Sequence, residues 1–213
     1  MKIVQVLPAL NSGGVERGTV EFAREIAAQG HHSIVVSSGG RMVDQLVAEG
    51  TEHIEMPVHK KSLSSLLQVR PMRKLLTELK PDIVHVRSRI PAWIVWLAWR
   101  KMPPSIRPGL VSTFHGMYSV TPYSAIMGKA ERVISISDCV HQYILDNYNV
   151  DPKIITRIFR GLDTSAFNAN SCTKSWQAKL YQQYPVLEGK HLILMPGRLT
   201  RWKGQEAFIE MMA

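Results

Sequence analysis

Short apolar segments alternate with segments of helical periodicity along most of the chain. Continuous apolar runs of strand length, separated by helices, are typical of a parallel sheet that is covered on both faces. The sequence therefore predicts an α/β fold, in which a Rossmann-like parallel sheet carries helices on both faces. The predicted strands lie near residues 2–8, 33–37, 53–56, 82–86, 110–114, 132–136 and 154–158.

Two of the helical segments carry residues that mark a boundary or a break. Residues 15–29 place apolar side chains on one stripe, and Gly30 follows as a helix-terminating glycine. Residues 62–79 have a helical pattern that Pro71 interrupts. Because proline removes a helix hydrogen bond and clashes with the preceding turn, this segment is either one kinked helix or two helices.

The sequence of strand, glycine turn and helix occurs a second time near the end of the chain. An apolar run at 191–195 leads into a turn at 196–204, and a helical pattern follows at 205–213. The 213 residues suffice for one core of ordinary size but not for two. We therefore expect an N-terminal domain at 1–165, a linker at 166–189, and the start of an incomplete second Rossmann-like domain at 190–213.

Composition excludes several classes of protein. The 45% hydrophobic and 20% charged content is ordinary for a globular chain. The longest apolar run, 90–99, is shorter than the roughly 20 residues of a membrane span, and no export signal precedes it, which predicts a cytoplasmic protein. The two cysteines, Cys139 and Cys172, form no Cys-x-x-Cys pair and no histidine has metal-ligand spacing, which argues against a disulfide framework and a metal site.

The formal charge of +9 indicates partners that carry negative charge, such as phosphates, nucleic acid or acidic lipid. The basic residues are spread over ordinary helix faces without a nucleic-acid-binding motif, so we expect no nucleic-acid partner. Basic residues and leucines interleave at 60–80, and Trp93, Trp96 and Trp99 follow. Such a surface can rest on an anionic membrane, although a leucine stripe at helical spacing is more often core.

Gly13 and Gly14 lie between the first predicted strand and the first predicted helix. Uncovered amides at a helix N-terminus can bind a phosphate or carboxylate, but a tight turn that needs positive φ explains the pair equally well. A dinucleotide fold would require Gly-x-Gly-x-x-Gly here and an acidic residue after the second strand. The second strand instead ends in Ser-Ser-Gly-Gly at 37–40, which argues against a nicotinamide cofactor.

The turn at 197–204 carries three cations beside a helix N-terminus, namely Arg198, Arg201 and Lys203. Arginine can bind two oxygens of a diphosphate, and lysine acts as a point charge. A departing diphosphate develops negative charge, so these cations would act on the rate and not only on binding. A solvated basic loop is the alternative, but the strand, turn and helix frame favours a functional role for Arg198 and Lys203.

Polar residues follow two neighbouring predicted strands, at the end where ligands bind in open parallel sheets. His115 follows the strand at 110–114 and could donate a hydrogen bond to a sugar or phosphate oxygen. Its position favours function, although a single histidine is more often structural. Arg87 and Ser88 follow the strand at 82–86 and could face an acceptor, but a polar loop explains them equally well.

Four motifs, in order, resemble those of the N-terminal domain of a retaining family 4 glycosyltransferase with the GT-B fold. They are the first loop at 13–17, the histidine loop at 113–116, the sixth-strand pattern at 133–137, and the donor-phosphate motif at 197–199 with 203–204. A stretch at 160–167 is also similar to one in the family, but that stretch usually begins with Asn, so Arg160 departs from the pattern.

The resemblance implies transfer of a sugar from a nucleotide-diphosphate donor to an acceptor hydroxyl with retained configuration, without a cofactor or an obligatory metal. Arg198 and Lys203 would hold the donor diphosphate. Gly13 and Gly14 would lie at the cleft beside it, and His115 would be the catalytic residue that contacts the transferred sugar.

On the acceptor side, the resemblance implies roles for Arg87, Ser88 and Tyr118. An envelope glycolipid, a lipopolysaccharide intermediate or an oligosaccharide is the expected acceptor, which would place the protein at the inner membrane face. The family's paired glutamates belong to a second domain beyond residue 213, so we expect this chain alone to be inactive. The alternatives are a non-catalytic module that binds a glycolipid or a phosphorylated ligand, and a GT-B nucleotide-sugar epimerase.

Overall fold

The computed structural model of the protein describes residues 1–161, 164, 174–197 and 199–212. Contacts along the chain divide it into two compact units, Met1–Arg160 and Gly161–Ala213. The first unit contains the sheet and all of the predicted strands up to residue 158.

One parallel sheet of seven strands forms the centre of the first unit, in the order β3-β2-β1-β4-β5-β6-β7. It confirms the predicted Rossmann-like α/β fold and each of the seven strand positions, with shifts of a few residues at the ends. The strands are β1 Lys2–Val6, β2 His32–Ser37, β3 Glu52–Glu55, β4 Ile83–Val86, β5 Gly109–Phe114, β6 Arg132–Ser135 and β7 Ile155–Arg157.

Helices connect consecutive strands, as parallel pairing requires. In the first unit they are α1 Gly14–Ala28, α2 Val43–Ala48, α3 Val69–Leu79, α4 Arg89–Trp99 and α5 Asp138–Asn147, and a 3-10 helix, Ser124–Lys129, connects β5 to β6. The second unit contains α6 Lys174–Gln183 and α7 Gln205–Met212.

The side chains of each strand alternate between two apolar cores, one on each face of the sheet. Val36 packs in the larger core together with Ile94 of α4. Its neighbour Val35 packs on the opposite face, in a smaller core with Val20 of α1. This alternation explains why the strands read as continuous apolar runs in the sequence.

The strand order reverses at β1, which pairs with β2 on one side and with β4 on the other. Val6, the last residue of β1, lies opposite both Val36 and Val86. The chain therefore leaves β1 and β4 in different directions, and a crevice opens at their carboxyl ends. The loops after β1, β4 and β5 reach this edge of the sheet.

The segment at 62–79 forms two helices, which decides between the two predicted alternatives. A 3-10 helix at Leu63–Gln68 precedes α3, which begins at Val69. Pro71 therefore lies in the first turn of α3, where a backbone N–H has no partner within the helix. The break between the two helices lies before Pro71, because a proline in the first turn of a helix removes no hydrogen bond of that helix.

The predicted strand at 191–195 is wrong. Residues 191–196 adopt neither helix nor strand, and the side chains of Ile193 and Leu194 are 60% and 75% exposed. A strand requires a neighbour to take its backbone hydrogen bonds, and the described residues of the second unit supply none. The following helix is confirmed as α7, and the left-handed Gly204 (φ 76°) precedes it.

Helix α4 accounts for the longest apolar run in the sequence. Pro91, Ile94 and Ala98 of this helix are buried. Across the residues that the structure describes, no helix has the length and hydropathy needed to cross a bilayer.

The tryptophans of α4 are held inside the first unit. The indole of Trp93 donates to the carbonyl oxygen of Tyr123 at 3.0 Å, and that of Trp99 donates to Pro108 at 2.8 Å. Both rings, and that of Trp96, pack against the larger core. The tryptophans therefore give no support to the membrane-anchor role that the sequence suggested for them.

Candidate functional site

The turn between β1 and α1 places Gly13 at the N-cap of the helix with φ 145°. Residues with a Cβ rarely adopt this conformation, so the tight-turn explanation of the glycine pair holds at Gly13. Both glycines are exposed, and Gly14 is the first residue of α1. The carboxylate of Glu16, in the first turn of α1, lies over Gly13, so the protein itself places a negative charge at the positive end of the helix dipole.

Arg87 follows β4 and is buried, with only 7% of its surface exposed. Its Nη1 donates to the Oε1 atom of Gln5 at 3.0 Å, while its Nε has no hydrogen-bond partner within the described part of the chain. Gln5 is in turn held by α1, because its Nε2 donates to the carbonyl oxygen of Thr19 at 3.3 Å. The guanidinium is thus fixed beneath the start of α1.

Burial, together with the smaller effect of the positive charge of Arg160, lowers the pKa of Arg87 to about 10. The group is therefore still a cation at neutral pH. Among the described residues, no carboxylate forms an ion pair with it. A buried cation without a counter-charge is unfavourable, which is typical of a site that receives an anion.

His115 follows β5 and lies beside this cation. Neither ring nitrogen has a hydrogen-bond partner in the described ranges, although both atoms are buried. Burial, together with the smaller effects of the charges of Arg87 and Arg160, lowers the pKa of His115 to about 3. The imidazole is neutral at physiological pH, with one nitrogen able to donate and the other able to accept.

Tyr118 lies under the histidine loop and orders it. Its hydroxyl oxygen accepts the backbone N–H of His115 at 3.3 Å, and burial raises the pKa of this phenol. Its carbonyl oxygen accepts from the hydroxyls of Tyr143 and Tyr148 at 2.7 and 3.1 Å. The guanidinium carbon of Arg89 lies 4.9 Å from the centre of the Tyr118 ring. Tyr118 is therefore in the candidate site and also holds the loop in place.

Ser88 is half-buried at the N-cap of α4, between Arg87 and Arg89. Its side chain makes no capping hydrogen bond to the helix. The serine hydroxyl is therefore not used by α4, and Ser88 stays a candidate for contact with an acceptor.

His85 lies one strand position before this edge and has a structural partner. Its Nε2 lies 2.7 Å from the hydroxyl oxygen of Thr113 on β5, and the ring is buried. Burial lowers its pKa well below the usual range, and the charge of Arg87 and the neighbouring His115 add to this lowering. It supports the sheet beneath the candidate site.

Arg160 completes the arrangement, although the sequence marked it only as a departure from a family pattern. Its Nη2 donates to the carbonyl oxygen of Gly14. A Cβ added to Gly14 would lie 2.8 Å from its Nη1, and one added to Gly18 would lie 2.7 Å from its Nη2. Arg160 is exposed to solvent, whereas Arg87 is buried.

Gly18 is a second residue that the sequence analysis did not select. It lies one turn after Gly14, on the same face of α1. A glycine inside a helix costs about 1 kcal/mol relative to alanine, so two at this spacing indicate that something approaches the helix closely. That signal was present in the sequence, but it did not reveal which group approaches.

The predicted donor-phosphate residues of the second unit are described only in part. Arg198 lies outside the described residues. Lys203 is exposed and ends a 3-10 helix, Arg201–Lys203, immediately before Gly204 and α7. Its predicted role stays a prediction.

A metal centre has no candidate ligands in the part of the chain that the structure describes, since no three His, Cys, Asp or Glu side chains come together there. Cys139 is an exposed free thiol at the start of α5. Neutral and cationic nitrogen donors therefore dominate the candidate site.

Comparison with known proteins gives this arrangement a context. The chain matches the model of Glycosyltransferase Family 4 over residues 12–166. A glycosyltransferase from Rickettsia africae is 36% identical to it, with a TM-score of 0.81, over 99% of this chain and 56% of that protein. No match was found among curated proteins.

Two more distant solved structures share the fold. Anabaena HepE, solved in complex with UDP and glucose, is 19% identical over 100% of this chain and 57% of its own, with a TM-score of 0.76. WaaG, a glycosyltransferase involved in lipopolysaccharide biosynthesis, is 18% identical over 98% of this chain and 58% of its own, with a TM-score of 0.69. The chain thus spans just over half the length of these three solved proteins. By the extent of the family match, it belongs to glycosyltransferase family 4.

Proposed function

We propose that this chain is the acceptor-side part of a glycosyltransferase that moves a sugar from a nucleotide-diphosphate donor to an acceptor hydroxyl with retained configuration. The observation that carries the proposal is the neutral His115, whose buried ring nitrogens have no partner among the described residues and which lies near the charges of Arg87 and Arg160. In a family 4 chain, this is a donor group placed at the ligand-binding edge of the sheet.

In the proposed reaction, the bond between the anomeric carbon and the diphosphate oxygen breaks, and the acceptor oxygen forms a bond to the same carbon. The diphosphate leaves with the electron pair, and the proton of the acceptor hydroxyl is released. Negative charge grows on the leaving group, so cations beside it lower the barrier. We assign this task to Arg198 and Lys203.

His115 acts on the transferred sugar. A neutral imidazole can donate one hydrogen bond to a sugar hydroxyl without adding a third positive charge beside Arg87 and Arg160. The low pKa of His115 keeps that donor in the same protonation state throughout the neutral range. Its contribution is therefore to orientation and to stabilisation of the transition state.

The proposed acceptor is a glycolipid or oligosaccharide of the bacterial envelope, such as a lipopolysaccharide intermediate. WaaG, which shares the fold, is involved in lipopolysaccharide biosynthesis. The charge of +9 favours an acceptor or a membrane surface with negative charge. We place the protein in the cytoplasm, at the inner membrane face.

A panel of nucleotide-diphosphate sugars tests the proposal. The full-length gene product is incubated with each sugar, with and without candidate acceptors, and the released nucleoside diphosphate and the sugar products are identified. Release that increases with acceptor and yields a retained linkage supports transfer. An epimerised nucleotide sugar as the main product would contradict it, whereas undiminished turnover by Lys203→Ala would contradict the role assigned to Lys203.

A further inference from the structure

Two guanidinium groups converge on one face of α1. The Nη2 atoms of Arg87 and Arg160 both lie within 4 Å of the point that a Cβ of Gly18 would occupy. Arg160 is also bonded to the carbonyl oxygen of Gly14, one turn earlier. The first turn of α1 carries the Glu16 carboxylate over Gly13, which offsets the positive end of the helix dipole, so the positive potential at this face comes from the two guanidinium groups. Two guanidinium groups therefore approach the same point on the surface of α1.

This convergence is unfavourable for the protein alone. Like charges at close range repel, and a low local dielectric strengthens the repulsion. Arg87 is buried and its Nε has no partner within the described residues. An oxyanion placed between the two groups would relieve the repulsion and accept from that Nε.

Gly14 and Gly18 leave room on α1 for the guanidinium of Arg160. Any side chain at Gly14 or Gly18 would enter the volume of the Arg160 guanidinium, at 2.8 and 2.7 Å respectively. The helix thus keeps two residues of low helix propensity on the face that the arginines approach. The neutral His115 lies within the electrostatic influence of both cations and offers a hydrogen-bond donor without adding charge.

We infer that Arg87 and Arg160 form an oxyanion site, over the glycine face of α1, that binds a phosphate group of the acceptor. The inference rests on the proposed function, and it deepens it by naming the chemical class of the acceptor. The donor diphosphate has its own proposed cations in the second unit, Arg198 and Lys203. The pair on the first unit is therefore left for an acidic group of the other substrate.

Inorganic phosphate is the probe. The protein is titrated with phosphate at constant ionic strength while the NMR signals of the Arg87 Nε–H and the His115 ring are followed. Saturable shifts of both signals are expected. The absence of a saturable response in the wild-type protein would overturn the inference.

Three variants distinguish specific phosphate binding at this site from general attraction to the net positive charge. Arg160→Ala should weaken phosphate binding by about tenfold, the loss expected for one charge-assisted hydrogen bond. Gly18→Ala should weaken it as well, because the added methyl displaces the Arg160 guanidinium without removing its charge. Arg132→Gln is the control, since Arg132 is exposed and its guanidinium bonds to the carbonyl oxygen of Glu131. Equal losses in Arg160→Ala and Arg132→Gln would show only attraction to net charge.

The source of the phosphate is decided by adding UDP. If the site serves the acceptor, phosphate and UDP bind independently, and Lys203→Ala weakens only UDP. If UDP displaces phosphate from Arg87, the site serves the donor and the assignment to the acceptor is wrong. Both titrations use the full-length gene product, in which failure of the proposed function has a different signature: phosphate would still bind at Arg87 while UDP would not bind at all.

Discussion

Arg160 donates a hydrogen bond to the carbonyl oxygen of Gly14, across 146 positions of sequence. The contact brings the end of the first unit to the first turn of its first helix. It also holds a cation over Gly18, close to the buried Arg87. The region after β7 is thereby part of the candidate site, and the predictions below follow from this arrangement.

A substitution at Gly18 tests whether the Arg160 guanidinium is held rigidly against α1. Gly18→Ala should raise the free energy of unfolding by about 0.5–1 kcal/mol, because alanine favours the helix and the exposed Arg160 side chain can move aside. Urea unfolding measures this. Gly30→Ala is the matched control: Gly30 has φ 75° and open space around it, so alanine there should destabilise by about 1 kcal/mol through backbone strain alone. A loss of stability in Gly18→Ala would show that the guanidinium is held rigidly.

Acid should destabilise the protein through its buried histidines. The pKa of His115 is about 3 in the folded protein, below the usual value of 6.5, so the unfolded chain binds more protons between these limits. Stability is therefore constant above about pH 6.5 and falls as the pH drops from there towards 3, by up to about 1.4 kcal/mol per pH unit for each such histidine. His85, whose pKa is also lowered, adds to the slope.

His115→Gln should make the dependence of unfolding free energy on pH less steep, by the amount that corresponds to one bound proton. The free energy of unfolding at pH 7 should be nearly unchanged. Urea unfolding at a series of pH values between 4 and 7 measures both quantities. An unchanged slope would mean that the imidazole becomes protonated in the folded protein, which would contradict its neutral role in the site.

A carboxylate placed beside Arg87 should compete with the inferred ligand. The Oε1 atom of Gln5 already accepts from Arg87 at 3.0 Å, so Gln5→Glu supplies an internal counter-charge of the same shape. Phosphate affinity should fall by about tenfold, since the cation is then neutralised by the protein itself. NMR titration of the Arg87 Nε–H signal measures the affinity. Tighter phosphate binding in this variant would exclude Arg87 as a ligand.

Vesicle binding tests the proposed membrane contact. The protein should bind anionic vesicles in a salt-sensitive way, and Lys60→Ser with Lys61→Ser should weaken this binding because both lysines are exposed. Trp93→Phe should leave it unchanged, since the indole bonds to Tyr123 inside the unit. Equal binding to neutral vesicles would remove the electrostatic basis of the proposal.

The fold was predictable from the sequence because its signals are local. Each of the seven strands predicted in the first unit is observed, and Gly30 ends α1 with φ 75°, as a helix-terminating glycine does. The apolar run at 191–195 failed as a strand prediction because strand formation depends on a neighbouring strand, which hydrophobicity does not report.

Only those residues of the candidate site that come directly after a strand were predictable from the sequence. Arg87, Ser88 and His115 come directly after β4 and β5, so parallel pairing alone brings them to one edge. Arg160 follows the edge strand β7, and its long side chain reaches back to α1. No local pattern encodes that contact, and the glycine spacing of α1 shows only that some group approaches.

The most direct test of the proposed function is the kinetics of nucleoside-diphosphate release by the full-length gene product. His115→Ala should lower kcat by about 100-fold, the range expected for loss of one positioned donor in the transition state, with little change in donor KM. Wild-type kcat in this variant would contradict the role of His115 and, with it, the account of the site.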